Sequence, residues 1–319
     1  MLVSYKYFKQ FLKKTITLFI ATIFIYALMA TLITNKLNNS VNLSLSPKRI
    51  VSLVPSQTEL LYSLGLNEEV VGITKFCIHP EEWFRSKQRI GGTKTVKPDV
   101  VKTLQPDLII ANKEENVKEQ IEELQLIAPV WVSDINTLED ALGMITSIGK
   151  LVDAQDRANE LALQIQEAFS QITPVNEKIL AAYFIWKDPY MAAGGDTFIH
   201  DMLGRCGLTN IFENINRYPE VTISSSSTNN NQESIINPQS SICSPLLSVR
   251  SPLSSLRKCQ LLLLSSEPYP FKKQHLDELQ KLLPFSKIML VDGEMFSWYG
   301  SRLLYSAQYF KNLIQQIQQ

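Results

Sequence analysis

The sequence predicts an α/β protein with two lobes, each built on a mostly parallel sheet. Short apolar, β-branched runs alternate with helical patterns in both halves of the chain, which is the order expected of parallel strands covered by helices. Between the halves, residues 137–172 keep a helical period without an internal proline. We therefore expect an N-terminal lobe at 48–136, a single long bridging helix at 137–172 and a C-terminal lobe at 173–319.

The N-terminal region differs from the rest in composition. Lysines at positions 6, 9, 13 and 14 precede residues 15–34, which carry no charge and are long enough to span a bilayer as a helix. A cleaved signal peptide and an uncleaved anchor share this order, but the length of the apolar run and its poor cleavage motif favour the anchor. Residues 1–34 are thus a signal or membrane-anchor segment and 35–47 a polar linker. The remainder is expected outside the cytoplasm, on the periplasmic or cell-surface side.

In the N-terminal lobe, apolar runs predict the strands 49–54, 70–74, 107–111 and 129–132. Ser56 and Glu59 have the spacing of a capping box, which predicts that a helix begins there and ends at Gly65. A charged helix is expected at 114–126.

In the C-terminal lobe, the same patterns predict strands at 178–186, 260–266 and 287–291, and helices at 196–206, 274–283 and 302–317. The stretch 223–257 is different, because it is rich in serine and asparagine and contains no aromatic residue. Such a composition rarely buries enough apolar surface to fold, so we expect a disordered insertion. A locally altered reading frame is the alternative.

Composition and motifs exclude several classes of function. The formal net charge is zero, and without the four lysines at positions 6, 9, 13 and 14 the body is mildly acidic, which argues against a nucleic-acid binder. No GxSxG, HExxH or GxxxxGK[ST] motif occurs, and the three histidines are far apart, so an enzyme is not expected. The four cysteines, Cys77, Cys206, Cys243 and Cys259, lack metal-ligand spacing and are expected to be buried or free thiols, although a disulfide remains open.

Several segments together resemble a known family. They are RIVSLVPSQTELLYSLGL, VVGITKFCIHP, GGTKTVKPDVVKTLQPDLIIANKEEN, GGDTFIHDMLGRCGLTNIF, SSEPYPF and VDGEMFSWYGSRLL. In this order they resemble the helical-backbone metal receptors, the substrate-binding proteins of ABC importers that bind vitamin B12, ferric siderophores or haem. The likeness covers about 47–218 and 261–313 and is greatest to the cobalamin-binding branch.

The resemblance implies a function and its partners. The protein would capture a metal chelate, such as cobalamin, in a cleft between the lobes and deliver it to an ABC permease and its ATPase, without a catalytic cofactor. A membrane-anchored binding or sensor protein that no longer supports transport is the alternative, and a hydrolytic enzyme is less favoured.

Candidate ligand-binding residues follow the predicted strands, because ligands of such sheets sit beyond the carboxyl ends of strands. In the N-terminal lobe they are Phe76, His79, Asn112 and Lys113; in the C-terminal lobe they are Trp186, Tyr190, Met295, Trp298, Tyr299 and Arg302. The resemblance adds Tyr218, which matches a position where the family often has a pocket aromatic residue. The aromatic rings would form apolar walls and Arg302 would meet a polar group of the ligand. His79 is a candidate axial ligand to the chelated metal, or a histidine bonded within its loop. The bulkier residues after 291 could instead pack under the last helix.

The resemblance also places permease docking on one acidic residue in each lobe. Asp99 matches the first position; its alternative role is an ordinary helix cap. The second acid would follow Val221 and Thr222, where serines stand instead. This departure from the family's pattern is the reason for keeping the transport-deficient alternative.

Overall fold

The computed structural model describes residues 46–223, 256 and 258–319, which form two compact units. Unit 1 runs up to Gln171 and also contains Trp298–Gln308, while unit 2 consists of Ile172–Ser297 and Tyr309–Gln319. The predicted C-terminal lobe at 173–319 is therefore corrected, because a short segment near its end packs in unit 1. The expected membrane segment, 15–34, lies outside the described residues. Within the described part of the chain, no helix combines the length and apolar character needed to cross a membrane.

Unit 1 contains seven strands and six helices among the described residues before 172. The strands are β1 (Ile50–Ser52), β2 (Val70–Ile73), β3 (Gln88–Arg89), β4 (Gly91–Gly92), β5 (Thr95–Val96), β6 (Leu108–Asn112) and β7 (Val130–Ser133). The helices are α1 (Pro55–Ser63), α2 (Glu81–Ser86), α3 (Pro98–Thr103), α4 (Lys118–Leu124), α5 (Leu138–Leu151) and α6 (Gln155–Ser170).

The main sheet of unit 1 has the order β3-β2-β1-β6-β7, and all its neighbours run parallel. The central strands β1 and β6 are buried along their whole length, as expected for apolar strands covered on both faces. On β2, Gly72 lies in close packing, because a Cβ there would lie 2.6 Å from a Leu104 methyl carbon, which would have to move. The four strands predicted in this lobe are confirmed.

The beginning of α1 differs from the prediction. Pro55 occupies the first turn and Val54 is the N-cap, without a side-chain cap bond. The predicted capping box of Ser56 and Glu59 is therefore wrong. Pro55 can start the helix because its fixed φ suits the first turn and its missing N–H has no intrahelical partner there. At the other end of α1, Gly65 follows the C-cap with a φ of +85°, as predicted.

The predicted bridging helix is two helices. A capping box of Thr137 and Asp140 begins α5. The helical conformation is interrupted between α5 and α6, where Asp153 adopts a left-handed φ of +58°. The helices pack together so closely that a Cβ on Gly149 would overlap the Cβ of Ala158. The prediction of one helix over 137–172 is wrong, because both helices bury an apolar face and the helical period therefore continues through the break. The second helix, α6, is the one that leads the chain to unit 2.

Unit 2 and the C-terminal region hold six further strands and four further helices among the described residues. The strands are β8 (Ile179–Trp186), β9 (Tyr190–Ala192), β10 (Leu208–Asn210), β11 (Glu220–Val221), β12 (Leu261–Ser265) and β13 (Lys287–Val291). The helices are α7 (Phe198–Arg205), α8 (Lys273–Leu282), α9 (Gly293–Ser297) and α10 (Leu303–Gln318), the last of which begins in unit 1.

The sheet of unit 2 has the order β11-β9-β8-β12-β13, with β10 also paired to the first half of β8. Its strands β8, β10, β12 and β13 are parallel, whereas β9 pairs antiparallel with both β8 and β11. Leu256 is buried in the core of this unit and Ile223 packs against it. The predicted disordered insertion, 223–257, is therefore too wide at both ends, because an apolar side chain at each end joins the core. Its other residues lie outside the described part.

Candidate functional site

The parallel sheet of unit 1 places several predicted site residues at one edge. Strands β1, β2, β6 and β7 are parallel, so the loops that follow them leave the same edge of the sheet. Phe76 and His79 follow β2, Asn112 ends β6 and Lys113 comes next. The amino end of α1 follows β1 at the same edge.

Phe76 is the most exposed aromatic side chain predicted for the site, with 50% of its surface accessible. The backbone of its loop turns tightly, because the Ile78 N–H donates to the Phe76 carbonyl. The ring lies beside Gly92, and the Lys75 ammonium is 4.9 Å from the ring centroid. A large aromatic ring held in this way on a folded loop can stack on a flat ligand.

His79 lies half-buried in the same loop, and its ring is 5.6 Å from that of Trp298 in an edge-to-face arrangement. Within the described ranges, no group of three or more His, Cys, Asp or Glu side chains could hold a metal ion. A single histidine would suffice as an axial ligand only to a metal already held by a chelate. That role of His79 stays a prediction.

Asn112 is placed differently from its prediction. It is 2% exposed, and its amide nitrogen donates to both oxygens of Ser133, at 3.2 and 3.0 Å. Its amide oxygen accepts from the backbone N–H groups of Glu114 and Glu115. The expectation that Asn112 reaches the rim of the site is corrected, because the folded loop uses its donors and acceptor internally.

Lys113, the next residue, is exposed and forms an ion pair with Asp134, which follows β7. The pair brings opposite charges together at the edge of the sheet, where a polar group of a ligand could meet either charge. The predicted contact of Lys113 with a ligand stays a prediction.

The segment around Trp298 belongs to unit 1, although the sequence placed it in the other lobe. Trp298 and Tyr299 are buried, with exposures of 7% and 5%. The expectation that both rings stand open in the C-terminal lobe is corrected, because they pack among residues of unit 1. No local pattern could reveal this, since the partners are distant in sequence.

Arg302 is also engaged in unit 1. Its Nε and one terminal nitrogen donate to the two carboxylate oxygens of Glu59, at 2.9 and 2.7 Å. Its guanidinium carbon lies 4.8 Å from the centroid of the Trp298 ring. The predicted partner of Arg302 was a polar group of the ligand, and the structure supplies a carboxylate of the protein in its place.

Met295 and Phe296 lie in α9, directly after β13. Phe296 is fully buried, and its ring contacts those of Tyr183 and Phe310 at 4.9 and 4.8 Å. Packing under the last helix is therefore the correct alternative for Phe296. Met295 is half-buried, which leaves its predicted contact with a ligand as a prediction.

In unit 2, Trp186 ends β8 and is 39% exposed. Its ring meets that of Tyr269 edge to face at 5.7 Å. Tyr269 follows β12, whose carboxyl end lies beside that of β8. The sequence analysis did not single out Tyr269, but an aromatic residue after the strand predicted at 260–266 was the signal available.

The two other predicted tyrosines of unit 2 are half-buried. The ring of Tyr190 on β9 lies 5.5 Å from that of Phe184, and burial raises the pKa of its phenol, so it stays neutral at ordinary pH. Tyr218 lies in the loop between β10 and β11. Their predicted contact with a ligand stays a prediction.

Asp99 is the acidic residue that was predicted to dock on the permease. Asp99 is exposed in the first turn of α3, where a negative charge also stabilises the helix, so the docking role stays a prediction.

Cys77, Cys206 and Cys259 are buried free thiols, which confirms the expectation for these three, and Cys243 lies outside the described residues. Burial raises the pKa of Cys206 to about 12 and of Cys259 to about 11, so both are unreactive at neutral pH.

The fold and the residues at the sheet edges define a class: an α/β binding protein that presents aromatic side chains beyond the carboxyl ends of parallel strands. The sequence profile of the periplasmic binding protein family matches residues 50–243, which is more than half of the chain. The chain therefore belongs to this family.

Curated relatives match parts of this chain. The chain is 26% identical over 186 residues to the vitamin B12-binding protein of Vibrio parahaemolyticus, covering 57% of this chain and 67% of that protein. It is 31% identical over 180 residues to the uncharacterized ABC transporter substrate-binding lipoprotein YvrC of Bacillus subtilis, covering 52% and 56%. The matches thus span about two thirds or less of these relatives.

Two solved structures share the fold. The periplasmic vitamin B12 binding protein BtuF of Vibrio cholerae aligns with a TM-score of 0.65 at 19% identity, covering 86% of this chain and 98% of that one. The periplasmic heme-binding protein RhuT from Roseiflexus aligns with a TM-score of 0.66 at 16% identity, covering 85% and 99%.

Proposed function

We propose that the protein is the extracytoplasmic substrate-binding component of an ABC importer, which captures a metal chelate and delivers it to a permease and its ATPase. Membership of the periplasmic binding protein family supports the binding role. The relative YvrC carries an ABC transporter name, and several relatives and neighbours are named for vitamin B12 or haem.

The observation that carries the proposal is the exposure of large rings at the carboxyl ends of strands in both units. Phe76 follows β2 in unit 1 and Trp186 ends β8 in unit 2, and both rings are substantially exposed. Side chains of this size usually enter the core, and exposed rings beyond the carboxyl ends of parallel strands lie where ligands of such sheets bind. Contact of such a ring with a rigid macrocycle would gain apolar area at little cost in side-chain entropy.

A corrinoid is the ligand that we favour, with a ferric siderophore or haem as the alternatives. The vitamin B12-binding relatives support this choice. His79 would then stand beside Trp298 as an axial ligand to the chelated metal. Residues 15–34 would anchor the protein to the membrane, and Asp99 would contact the permease.

Titration of the purified full-length protein with cyanocobalamin, haemin and a ferric hydroxamate siderophore tests the proposal. We expect saturable binding of at least one of them with a shift in its absorbance, quenching of tryptophan fluorescence and no chemical turnover. Absence of binding for all three would contradict the proposal. Binding that fails to stimulate the ATPase of the cognate importer would instead favour a sensor that has lost transport.

A further inference from the structure

The segment Trp298–Gln308, here called the return segment, has an unusual place in the chain. It packs in unit 1, whereas the residues on both sides of it belong to unit 2. It contains three residues predicted to contact the ligand, Trp298, Tyr299 and Arg302, and it begins α10. What holds it in unit 1 therefore decides where these rings lie.

An ion pair joins Arg302 of the return segment to Glu59. The two residues are 243 positions apart, and the pair is joined by two parallel hydrogen bonds of 2.9 and 2.7 Å. Their side chains are only 11% and 15% exposed. A paired fork of this kind fixes the plane of the guanidinium as well as its distance, which a single lysine ammonium cannot do.

The plane of that guanidinium matters because Trp298 lies against it. The guanidinium carbon is 4.8 Å from the centroid of the Trp298 ring, and the same ring meets His79 at 5.6 Å. At Gly300, between Trp298 and Arg302, the chain comes so close to α1 that a Cβ would lie 2.8 Å from the Ser56 carbonyl oxygen. Glu59 therefore contacts Arg302, Arg302 contacts Trp298, and Trp298 contacts His79.

We propose that Glu59 and Arg302 are positioning residues of the ligand site: their ion pair holds the Trp298 ring beside His79 without itself touching the ligand. The inference rests on the proposed function only in assigning His79 and Trp298 to that site. Glu59 lies on α1 and Arg302 precedes α10, so the pair ties the return segment to the helix that follows β1.

The variants Glu59→Gln and Arg302→Lys test the positioning role. Each keeps a side chain of similar size but removes the paired fork. We expect acrylamide quenching of Trp298 to increase, measured as the difference from a matched Trp298→Phe background. We also expect affinity for the probe that the wild-type protein binds, cyanocobalamin or haemin, to fall about tenfold, the range seen when supporting residues of a site are lost.

A matched control separates positioning from general stability. Asp201→Asn breaks the ion pair with Arg205 on α7, whose side chains are 22% and 26% exposed. We expect this variant to lower the melting temperature while Trp298 quenching and affinity stay at the wild-type values. Where Glu59→Gln does not fold, Glu59→Asp, which keeps the charge but shortens the reach, takes its place.

The outcomes are separable. If the Glu59 and Arg302 variants lose melting temperature but keep wild-type quenching and affinity, the pair is merely structural and the inference is overturned. If the wild-type protein binds neither probe, the proposed function is contradicted for these ligands, and the quenching of Trp298 alone decides whether the pair positions the ring.

Discussion

In unit 2, Trp186 ends one strand and Tyr269 follows the neighbouring strand of the same sheet, and their rings contact each other. In unit 1, by contrast, Trp298 comes from a segment near the end of the chain. Trp186 remains 39% exposed, while Trp298 is 7% exposed and lies against the guanidinium of Arg302. Strand order is enough to bring rings together in unit 2. In unit 1 a long-range ion pair is needed as well, which makes this ring dependent on distant residues.

Replacing each tryptophan by alanine tests this difference between the two units most directly. Trp298→Ala removes a buried ring, so we expect the free energy of unfolding to fall by about 3–5 kcal/mol. Trp186→Ala removes a partly exposed ring, and we expect a loss of about 1 kcal/mol. Denaturant unfolding of both variants, followed by circular dichroism, measures the difference. Equal losses would show that the two rings are held in the same way.

A pair of glycines sharpens the comparison at the level of helix packing. Gly149 in unit 1 faces Ala158 on the neighbouring helix, whereas a Cβ added to Gly204 on α7 in unit 2 would have nothing within 4 Å. We expect Gly149→Ala to destabilise by about 1–3 kcal/mol through overpacking. Gly204→Ala should instead stabilise by about 0.5–1 kcal/mol through helix propensity.

Thermal unfolding of the Gly149→Ala and Gly204→Ala variants shows which of them is destabilised and which is stabilised. A stabilised Gly149→Ala protein would mean that α5 and α6 are not packed closely in solution. The predicted single bridging helix would then regain support, since a continuous helix has no need of a glycine at that position.

The smallest effect on stability is expected at Phe76, whose ring is half exposed. Phe76→Ala should change the free energy of unfolding by no more than about 0.5 kcal/mol. Its affinity for the probe that the wild-type protein binds should nevertheless fall about tenfold, because an aromatic contact face is lost. Isothermal titration calorimetry measures the affinity and denaturant unfolding the stability.

Phe285→Ala is the matched control for Phe76→Ala. Phe285 is 97% exposed but precedes β13, at the opposite end of the strand from the predicted site. We expect it to bind as the wild-type protein does. A loss of affinity at Phe285 equal to that at Phe76 would remove the link between strand ends and binding.

Much of the fold could be predicted because its signals are local. Apolar runs such as those of β6 and β8 predict buried strands from neighbouring residues alone, and both strands are found. The break between α5 and α6 escaped prediction because the same apolar period serves one long helix or two packed ones. Only the left-handed turn at Asp153 distinguishes them.

Less of the candidate site could be predicted. Phe76 and Trp186 were found because an aromatic residue after a strand is a local pattern, and both are exposed at the expected edges. Asn112 fits the same pattern, yet its amide turns inward to Ser133 and its own loop. Position in the sequence places a residue at the end of a strand but does not decide where its side chain points.

By itself the sequence determined the alternation of strands and helices, the family and the loops that carry candidate site residues, because these depend on short-range periodicity and side-chain type. Tertiary structure alone decided that Trp298 joins unit 1 and that Arg302 pairs with Glu59. Those outcomes depend on contacts between residues as far apart as 243 positions. The burial of a charge pair and a ring is a property of the folded surroundings, and no local pattern encodes it.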